Sequence, residues 1–388
     1  MEESDEEKPR TRKRRRVGRG GDGGPGETRR RHLYLVLDDW SSGYSIRKVD
    51  LSPSDRCCRR CGGRRHQPCL PPSLFRFEAS APCGVIMSPY FSAAGSSIMA
   101  MILREGGGGA SCFDGRAHPI PHFPIGGGRR DALGPTYFPI GDDRLFVLGA
   151  FSFHVLDMPL PDAASGTSQL DPLSWRELPD APVDCTDVVS HVVLPDGQTI
   201  FVSVGIIPDD EATYSFHMAG NGSSVWRHHG GWALPFRGRG YFDGDLNVWV
   251  GLSAYRPEEI GRVCACDLVS AGSDYGRRPA WKLSKEKLFS EDPAEVHMGA
   301  TLLYMGGKSR FCLVECVYIK GGRDDVAYEY DEVEEEDPPT YLFRVTTFSL
   351  KLDENGDLTT GNSRRVRYYS VPEVASNGFH RNPVAFWM

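Results

Sequence analysis

A cysteine-rich segment carries the side chains of this chain that are best suited to hold a metal ion. Three thiolates and one imidazole are a ligand set that tetrahedral zinc accepts. The last spacer is shorter than in a zinc knuckle, and the neighbouring arginines repel a dication, so the sequence favours a solvated loop over residues 54–70, with zinc as the alternative. The pattern C-x2-C-x4-H-x2-C is formed by Cys58, Cys61, His66 and Cys69.

Two glycine-rich stretches resemble nucleotide-binding motifs but lack the spacing or context that those motifs need. At Gly307-Lys308-Ser309, the first glycine of a phosphate-binding loop would fall at Leu302. The G-x-G-x-x-G letters at residues 18–23 neither follow a strand nor precede a helix. No G-x-S-x-G motif occurs, and a turn or strand end explains His228 and His229. We therefore expect no catalytic residue and no cofactor.

The first 30 residues combine a dense basic run with a glycine-rich stretch. This composition buries too little apolar surface to offset the entropy of ordering, so residues 1–30 are predicted to be a disordered tail. The basic run matches a nuclear-import signal, with nucleic-acid contact and a plain solvated tail as alternatives. The candidate import residues are Lys8, Arg10, Arg12, Lys13, Arg14, Arg15 and Arg16.

Composition indicates a soluble intracellular protein of the nucleus, the cytoplasm or both. No apolar run reaches the roughly 18 residues of a membrane span, and the N-terminus lacks the apolar core of a secretory signal. Eleven cysteines, an odd number, are expected to be reduced thiols. The net charge of −7 includes a strongly acidic stretch at residues 322–339, predicted to be a solvated loop rather than a docking site for a basic partner.

Short β-strands dominate the pattern over residues 31–388. The clearest hairpin is at residues 190–204, where two β-branched runs flank Pro195-Asp196-Gly197. Residues 241–252 predict a second hairpin, and helical periodicity is confined to residues 284–290. The predicted fold class is therefore all-β.

A strand, a loop and then a tryptophan recur at the length of a propeller blade. Trp175, Trp226 and Trp281 are separated by 51 and 55 residues, close to the roughly 50-residue period of kelch blades. Together with weaker units on both sides, this repeat predicts a single β-propeller of about six four-stranded blades. Each repeated tryptophan is expected to pack between neighbouring blades, and residues 380–388 are expected to complete the first blade.

Three segments resemble a plant family, the domain of unknown function 1668, that is expanded in cereal grasses. They are GWALPFRGRGYFDGDLNVWVGL at residues 231–252, HLYLVLDD at 32–39 and YSIRKVD at 44–50. The resemblance spans most of residues 30–388 and implies a kelch-like, F-box-associated-like propeller without known catalytic residues. The cysteine-rich insert after Ser54 is not part of that resemblance.

These patterns favour a non-catalytic, monomeric interaction module that binds a protein or peptide on the propeller face. Two alternatives stay open, because a fold does not determine a function. One is an enzyme on a propeller scaffold, which histidines and carboxylates converging at the centre of the ring would favour. The other is a nuclear protein that associates with nucleic acid through its basic tail.

Overall fold

The computed structural model divides the chain into two units, Met1–Arg31 and His32–Met388. Of the first unit only Arg31 is described, so the import candidates lie outside the described residues. The acidic stretch and most of the cysteine-rich segment lie outside them as well. The structure describes residues 31–40, 43–52, 69–78, 90–94, 97–102, 109–113, 117–120, 135–141, 143–150, 152–157, 175–205, 208–218, 224–253, 256–267, 276–319, 340–373, 375 and 383–388.

The predicted all-β class is confirmed, because the described residues contain no α-helix. Short 3-10 helices occur at Cys185–Asp187, Pro208–Asp210 and Gly361–Ser363. No helix in the described part of the chain is long and apolar enough to cross a membrane. The strands are β1 (Leu33–Trp40), β2 (Gly43–Val49), β3 (Ser73–Glu78), β4 (Tyr90–Ala94), β5 (Ser97–Ile102), β6 (Gly109–Phe113), β7 (Ala117–Ile120), β8 (Thr136–Ile140), β9 (Arg144–Leu148), β10 (Phe153–Asp157), β11 (Trp175–Glu177), β12 (Val188–Val193), β13 (Thr199–Val204), β14 (Ala212–His217), β15 (Val225–Gly230), β16 (Arg237–Asp243), β17 (Val248–Leu252), β18 (Val263–Cys266), β19 (Trp281–Leu283), β20 (Glu295–Gly306), β21 (Arg310–Ile319), β22 (Thr340–Ser349), β23 (Lys351–Leu352), β24 (Leu358–Thr359), β25 (Arg365–Ser370) and β26 (Val384–Trp387).

These strands form successive antiparallel meanders of four. Sheet 1 has the order β26-β1-β2-β3, sheet 2 is β4 to β7, sheet 3 is β8 to β11, and sheet 6 is β20-β21-β22-β25. Sheet 4 (β12 to β15) and sheet 5 (β16 to β19) are joined by a parallel pairing of β12 with β16. Consecutive four-stranded meanders of this kind make the fold β-propeller-like.

The two ends of the chain meet in sheet 1. Leu33 to Val36 of β1 pair antiparallel with β26, and His32 and Met388 exchange two backbone hydrogen bonds of 2.5 and 3.1 Å. The expectation that residues 380–388 supply a strand to the first unit is therefore confirmed for β26. This pairing makes one sheet from segments at opposite ends of the sequence.

Both predicted hairpins are confirmed, and their turns are stabilised by aspartates. In the β12–β13 turn, the carboxylate of Asp196 accepts backbone N–H groups from Gln198 at 2.8 Å and Thr199 at 2.9 Å. In the β16–β17 turn, Asp243 accepts the backbone N–H groups of Asp245 and Leu246, both at 3.0 Å. These side-chain acceptors satisfy turn donors that no neighbouring strand reaches.

The repeated tryptophans do not share one role. Trp226 packs between sheets 3 and 4 as predicted, with ring centroids 5.1 Å from both Phe153 and Phe216. The same prediction is wrong for Trp281, which is 37% exposed. The fully buried tryptophan of sheet 5 is Trp249 on β17.

Residues 284–290, the best candidate for a helix by sequence pattern, are not helical in the structure. These residues form an irregular segment whose backbone carbonyls accept hydrogen bonds from arginine side chains. Arg262 donates to the carbonyl oxygen of Ser284 at 2.7 Å, and Arg344 donates to that of Leu288 at 2.6 Å. Leu288 is fully buried, so packing and side-chain donors replace the helical ladder here.

We expect the β1–β26 pairing to stabilise the whole unit. Ala385 of β26 is buried among residues of sheets 1 and 6, so Ala385→Asp should lower the free energy of unfolding by about 3–5 kcal/mol, the cost of an uncompensated buried charge. Urea unfolding followed by tryptophan fluorescence measures this. Val225→Asp places the same carboxylate on an exposed strand position and should change stability by about 0.5 kcal/mol or less. Equal effects of the two substitutions would contradict the prediction.

Candidate functional site

The first strands of successive sheets contact one another. β4 contacts β8, β8 contacts β12, β12 contacts β16, β16 contacts β20, and β20 contacts β26. We call these six the inner strands. A side chain on an inner strand lies close to the place where two sheets meet, so residues from distant parts of the sequence are brought together there.

Aromatic and basic side chains form a belt across four inner strands. The ring of Phe138 on β8 meets His191 on β12 edge-on, with centroids 4.9 Å apart. His191 is paired in register with Arg239 on β16, and the guanidinium of Arg239 lies 5.0 Å from the ring centroid of Tyr241. Tyr241 in turn lies 6.4 Å from Tyr304 on β20. We call these five residues the inner-strand belt.

The charge of the inner-strand belt comes from its arginine. Burial, and to a smaller extent the charge of Arg239, lower the pKa of His191 to about 3, so the imidazole is neutral at physiological pH. Burial raises the pKa of Tyr241, although Arg239 acts in the opposite direction. Burial and the carboxylates of Asp243 and Asp245 raise the pKa of Tyr304. Both phenols are therefore neutral as well.

Arg237 and Arg239, both on the inner strand β16, are exposed cations. The pairing of β16 with β17 is irregular between Arg237 and Tyr241, and Gly238 has a φ of +69°, a left-handed conformation that favours glycine. Such a bulge changes the direction of the side chains beside it, and both arginines are exposed. Among the described residues, no carboxylate forms an ion pair with either one. A ligand could therefore use both guanidinium groups.

A second polar arrangement is buried in sheet 6 around Glu315, which is fully buried. The Nδ1 atom of His297 lies 3.0 Å from one carboxylate oxygen, and Arg344 donates to the other at 2.9 Å. The backbone N–H of Ser290 lies 3.2 and 3.1 Å from the two oxygens. The ring of His297 stacks on Phe289 at 3.9 Å. We call this arrangement the Glu315 network.

The Glu315 network attaches residues 284–290 to sheet 6. Both of its carboxylate oxygens are engaged, and Arg344 uses a second contact to hold the carbonyl of Leu288. A buried charge needs such partners because it has lost its water. This network brings a histidine and a carboxylate together, as the enzyme alternative requires, but both carboxylate oxygens already bind groups that hold the fold.

Of the four residues of the zinc candidate, the structure describes Cys69 alone. Cys58, Cys61 and His66 lie outside the described residues, and Cys69 is disulfide-bonded, so its sulfur has no thiolate to offer a metal. In the described part of the chain, no group of three or more His, Cys, Asp or Glu residues is placed to hold a metal ion. The expectation of reduced thiols is therefore wrong for Cys69, whereas Cys264, Cys266, Cys312 and Cys316 are buried free thiols.

The remaining sequence motifs have structural contacts. The backbone N–H groups of Lys308 and Ser309 donate to Asp245 at 2.5 and 3.1 Å, so a carboxylate of the neighbouring hairpin takes the place that a phosphate would need. His229 is buried, and its Nε2 lies 2.8 Å from the hydroxyl of Ser215. His228 lies on the same strand with its ring centroid 5.0 Å from that of Tyr214.

Comparison with known families agrees with the segment at residues 231–252. The family described as "Protein of unknown function (DUF1668)" matches residues 30–369. The chain belongs to this family. In the structure, the segment is a packing unit, because the ring of Phe236 lies where a side chain on Gly240 or Gly251 would stand. The residues that identify the family therefore report on its fold.

No curated protein matches the chain, and its similarity to solved structures is distant. The periplasmic gluconolactonase PpgL of Pseudomonas aeruginosa has 14% identity and a TM-score of 0.39, with 88% of this chain and 99% of that chain covered. A presumed 6-phosphogluconolactonase from Bacteroides uniformis has 12% identity and a TM-score of 0.39, with 92% and 99% covered. At these values neither one bears on what this chain binds.

Sequence reasoning missed Glu315, Arg344 and the arginines of β16. A usable signal was present for the first two, since each is a single charge within an apolar strand, in FCLVECVYI and YLFRVTTF. Charged residues are rarely buried unless paired, so two such positions on neighbouring strands predict an ion pair. No comparable signal marks Arg237 and Arg239, whose importance depends on the absence of a nearby carboxylate.

Removing the charge of Glu315 should destabilise the protein strongly. Glu315→Gln leaves Arg344 buried without its counter-ion, so we expect a loss of about 3 kcal/mol or more in urea unfolding. Replacing Glu315 and Arg344 together by methionine should recover much of that loss. Asp157→Asn is the control, because Asp157 pairs with Arg176 at the surface, where an ion pair contributes at most about 1 kcal/mol. A loss of stability as small as that of the control would show that the Glu315 network contributes little to the free energy of unfolding.

The lowered pKa of His191 predicts a loss of stability in acid. Its ordinary pKa is about 6.5, so below that pH the unfolded chain takes up a proton that the folded chain refuses until the pH nears 3. Urea midpoints at pH 7 and pH 5 should therefore fall more for the natural chain than for His191→Gln. His228→Gln, at an exposed position, should keep the natural pH dependence. Parallel pH dependence in the natural chain and His191→Gln would rule this explanation out.

Proposed function

We propose that this chain is a single kelch-like propeller of six blades that acts as a monomeric interaction module for a protein or peptide. Sheets 1 to 6 are the blades. Two kinds of contact between neighbouring sheets support the ring. Each inner strand from β4 to β26 contacts the next one along the series. Between sheets 1 and 2, apolar side chains such as Ile46 and Ile98 pack together. The pairing of β1 with β26 closes the series.

The binding role is inferred from two exposed arginines of β16. Arg239 belongs to the inner-strand belt and lies over the ring of Tyr241, and Arg237 is exposed two residues before Arg239. Arginine and tyrosine are among the residues that contribute most to protein interfaces. A guanidinium without a counter-ion also favours a partner that carries carboxylates. We therefore place the docking site at the inner edge of sheet 5.

We propose a non-catalytic role, and the structural contacts of His297 support it. His297 is held by Glu315 and by stacking on Phe289. Its carboxylate partner is already saturated by Arg344 and the backbone of Ser290. This arrangement supports a structural lock better than an acid–base pair.

The proposal extends to the setting of the protein. We infer a plant protein of the nucleus or cytoplasm, since the family resemblance is to plant sequences and the run Lys8 to Arg16 matches an import signal. Contact with nucleic acid through that run is the alternative role of the tail. Neither of these depends on the inner-strand belt.

Charge reversal at the inner edge should abolish recovery of a partner. Immobilised natural chain and Arg237→Glu/Arg239→Glu chain are incubated with an extract of the source organism, and bound proteins are quantified by mass spectrometry. We expect a reproducible acidic partner on the natural chain, reduced at least about tenfold on the variant, because charge-assisted contacts become repulsive.

Arg256→Glu is the matched control, since the Arg256 side chain is 70% exposed on a separate loop. It should retain the partner. Recovery that is unchanged in the double variant, or lost equally in the control, would refute the proposed docking site.

A further inference from the structure

A cavity of about 440 Å³ lies between the outer strand of sheet 6 and the residues that follow β2. Ligand pockets of proteins start at roughly 300 Å³. The wall combines apolar side chains with three guanidinium groups, and none of its described lining residues is acidic. We call this cavity the arginine groove; it is formed chiefly by Leu51, Val345, Val366, Arg364, Arg365 and Arg367.

Two of the three arginines are positioned by backbone carbonyls. Arg367 donates to the carbonyl oxygens of residues 50, 51 and 52 at 3.1, 3.2 and 2.7 Å. Arg364 donates to those of Lys287 and Leu288 at 3.1 and 3.3 Å. A carbonyl oxygen orients a guanidinium group without neutralising it. Arg365 is exposed, and no described carboxylate forms an ion pair with any of the three arginines.

Burial makes this concentration of charge unfavourable in the absence of an anion. Desolvation, followed by the nearby charge of Arg344, lowers the pKa of Arg364. A bound carboxylate would relieve both effects, because it supplies charge and hydrogen-bond acceptors together. The ligand class indicated by the charges is therefore anionic.

The shape of the groove indicates an extended ligand. β25 is the edge strand of sheet 6, and within the described residues its outer side is bridged once, by Cys69 at Ser370. An exposed strand edge can pair with an added strand. Arg365 and Arg367 are two residues apart, so they share one face of β25 at a spacing of roughly 7 Å.

An added strand has the same spacing, so its acidic side chains at alternate positions would face Arg365 and Arg367. The residue between them would lie on the other face, beside Val366, which is 38% exposed. This arrangement predicts the pattern acidic, apolar, acidic. It distinguishes the ligand from a free phosphate, which would gain nothing from the strand edge or from Val366.

We propose that the arginine groove binds an extended acidic peptide of a partner protein, with acidic residues at alternate positions, as an added strand on β25. The site is separate from the inner-strand belt and goes beyond the function proposed above. Its recognition uses the backbone edge for affinity, the guanidinium groups for charge and Val366 for the intervening apolar side chain.

The test uses fluorescence anisotropy with the full chain and two labelled peptides of equal charge. Ser-Glu-Val-Glu-Val-Glu-Ser has the alternate spacing, and Ser-Glu-Glu-Val-Val-Glu-Ser has the same composition with no two glutamates placed two residues apart. We expect the natural chain to bind the first peptide and to bind the second at least about tenfold more weakly. The Arg365→Glu chain should bind the first peptide about tenfold more weakly than the natural chain, as expected for the loss of a charge-assisted hydrogen bond. Equal binding of the two peptides would overturn the proposal.

Controls separate the groove from general electrostatics and from folding. Arg365→Glu replaces an exposed side chain, and its unfolding midpoint should match the natural chain. Arg256→Glu makes the same change elsewhere at the surface and should bind the first peptide normally; an equal loss there would overturn the proposal.

A further experiment tests whether the arginine groove binds a partner peptide or an acidic segment of the chain itself. The chain's own run at residues 324–337 includes Glu332-Val333-Glu334, which has the alternate spacing. A variant with serine at the acidic positions of that run should bind the peptide as the natural chain does. Tighter binding by this variant would assign the groove to the chain's own run instead of a partner.

Discussion

The structure depends on the burial of apolar sheet faces that no single meander can cover by itself. Phe153 of sheet 3 meets Phe216 of sheet 4 with centroids 4.9 Å apart, and Val250 of sheet 5 packs with Leu313 of sheet 6. Each contact removes surface from water on two sheets at once, and apolar burial contributes about 25 cal/mol per Å². A sheet at the end of such a series would leave one face exposed, so the pairing of β1 with β26 is needed for sheets 1 and 6 to cover each other.

Polar groups are distributed according to the same constraint. Glu315 is a buried charge, and donors from three separate segments surround it. Without these donors, the free-energy cost of burying the charge would exceed the stabilisation from packing. Arg239 on β16 and Arg365 on β25 are instead exposed, and no carboxylate of the described residues forms an ion pair with either one. Both proposed binding surfaces follow from this contrast between paired interior charges and exposed charges.

Much of the fold could be predicted because its determinants are local. The hairpin at Pro195-Asp196-Gly197 follows from turn chemistry, and the strands follow from alternation of apolar residues. The predictions that were wrong concern contacts between sheets. Trp281 and Trp226 occupy equivalent places in the repeat, but Trp226 packs against Phe153 of the neighbouring sheet, whereas Trp281 is 37% exposed. Residues 284–290 carry a helical pattern, but arginine side chains of other segments take their carbonyl oxygens.

The amino-acid sequence by itself determined the all-β class and the hairpins, because their determinants are residues close together in the chain, and it was sufficient to indicate the family and the contribution of the C-terminal residues to the first sheet. Tertiary structure alone decided which charges are paired. Glu315 and Arg344 are 29 residues apart and become partners on adjacent strands, whereas Arg237, Arg239 and Arg365 become binding candidates because folding brings no described carboxylate to them. The energy of a charge depends on its surroundings in three dimensions, and those surroundings do not exist until the sheets have packed.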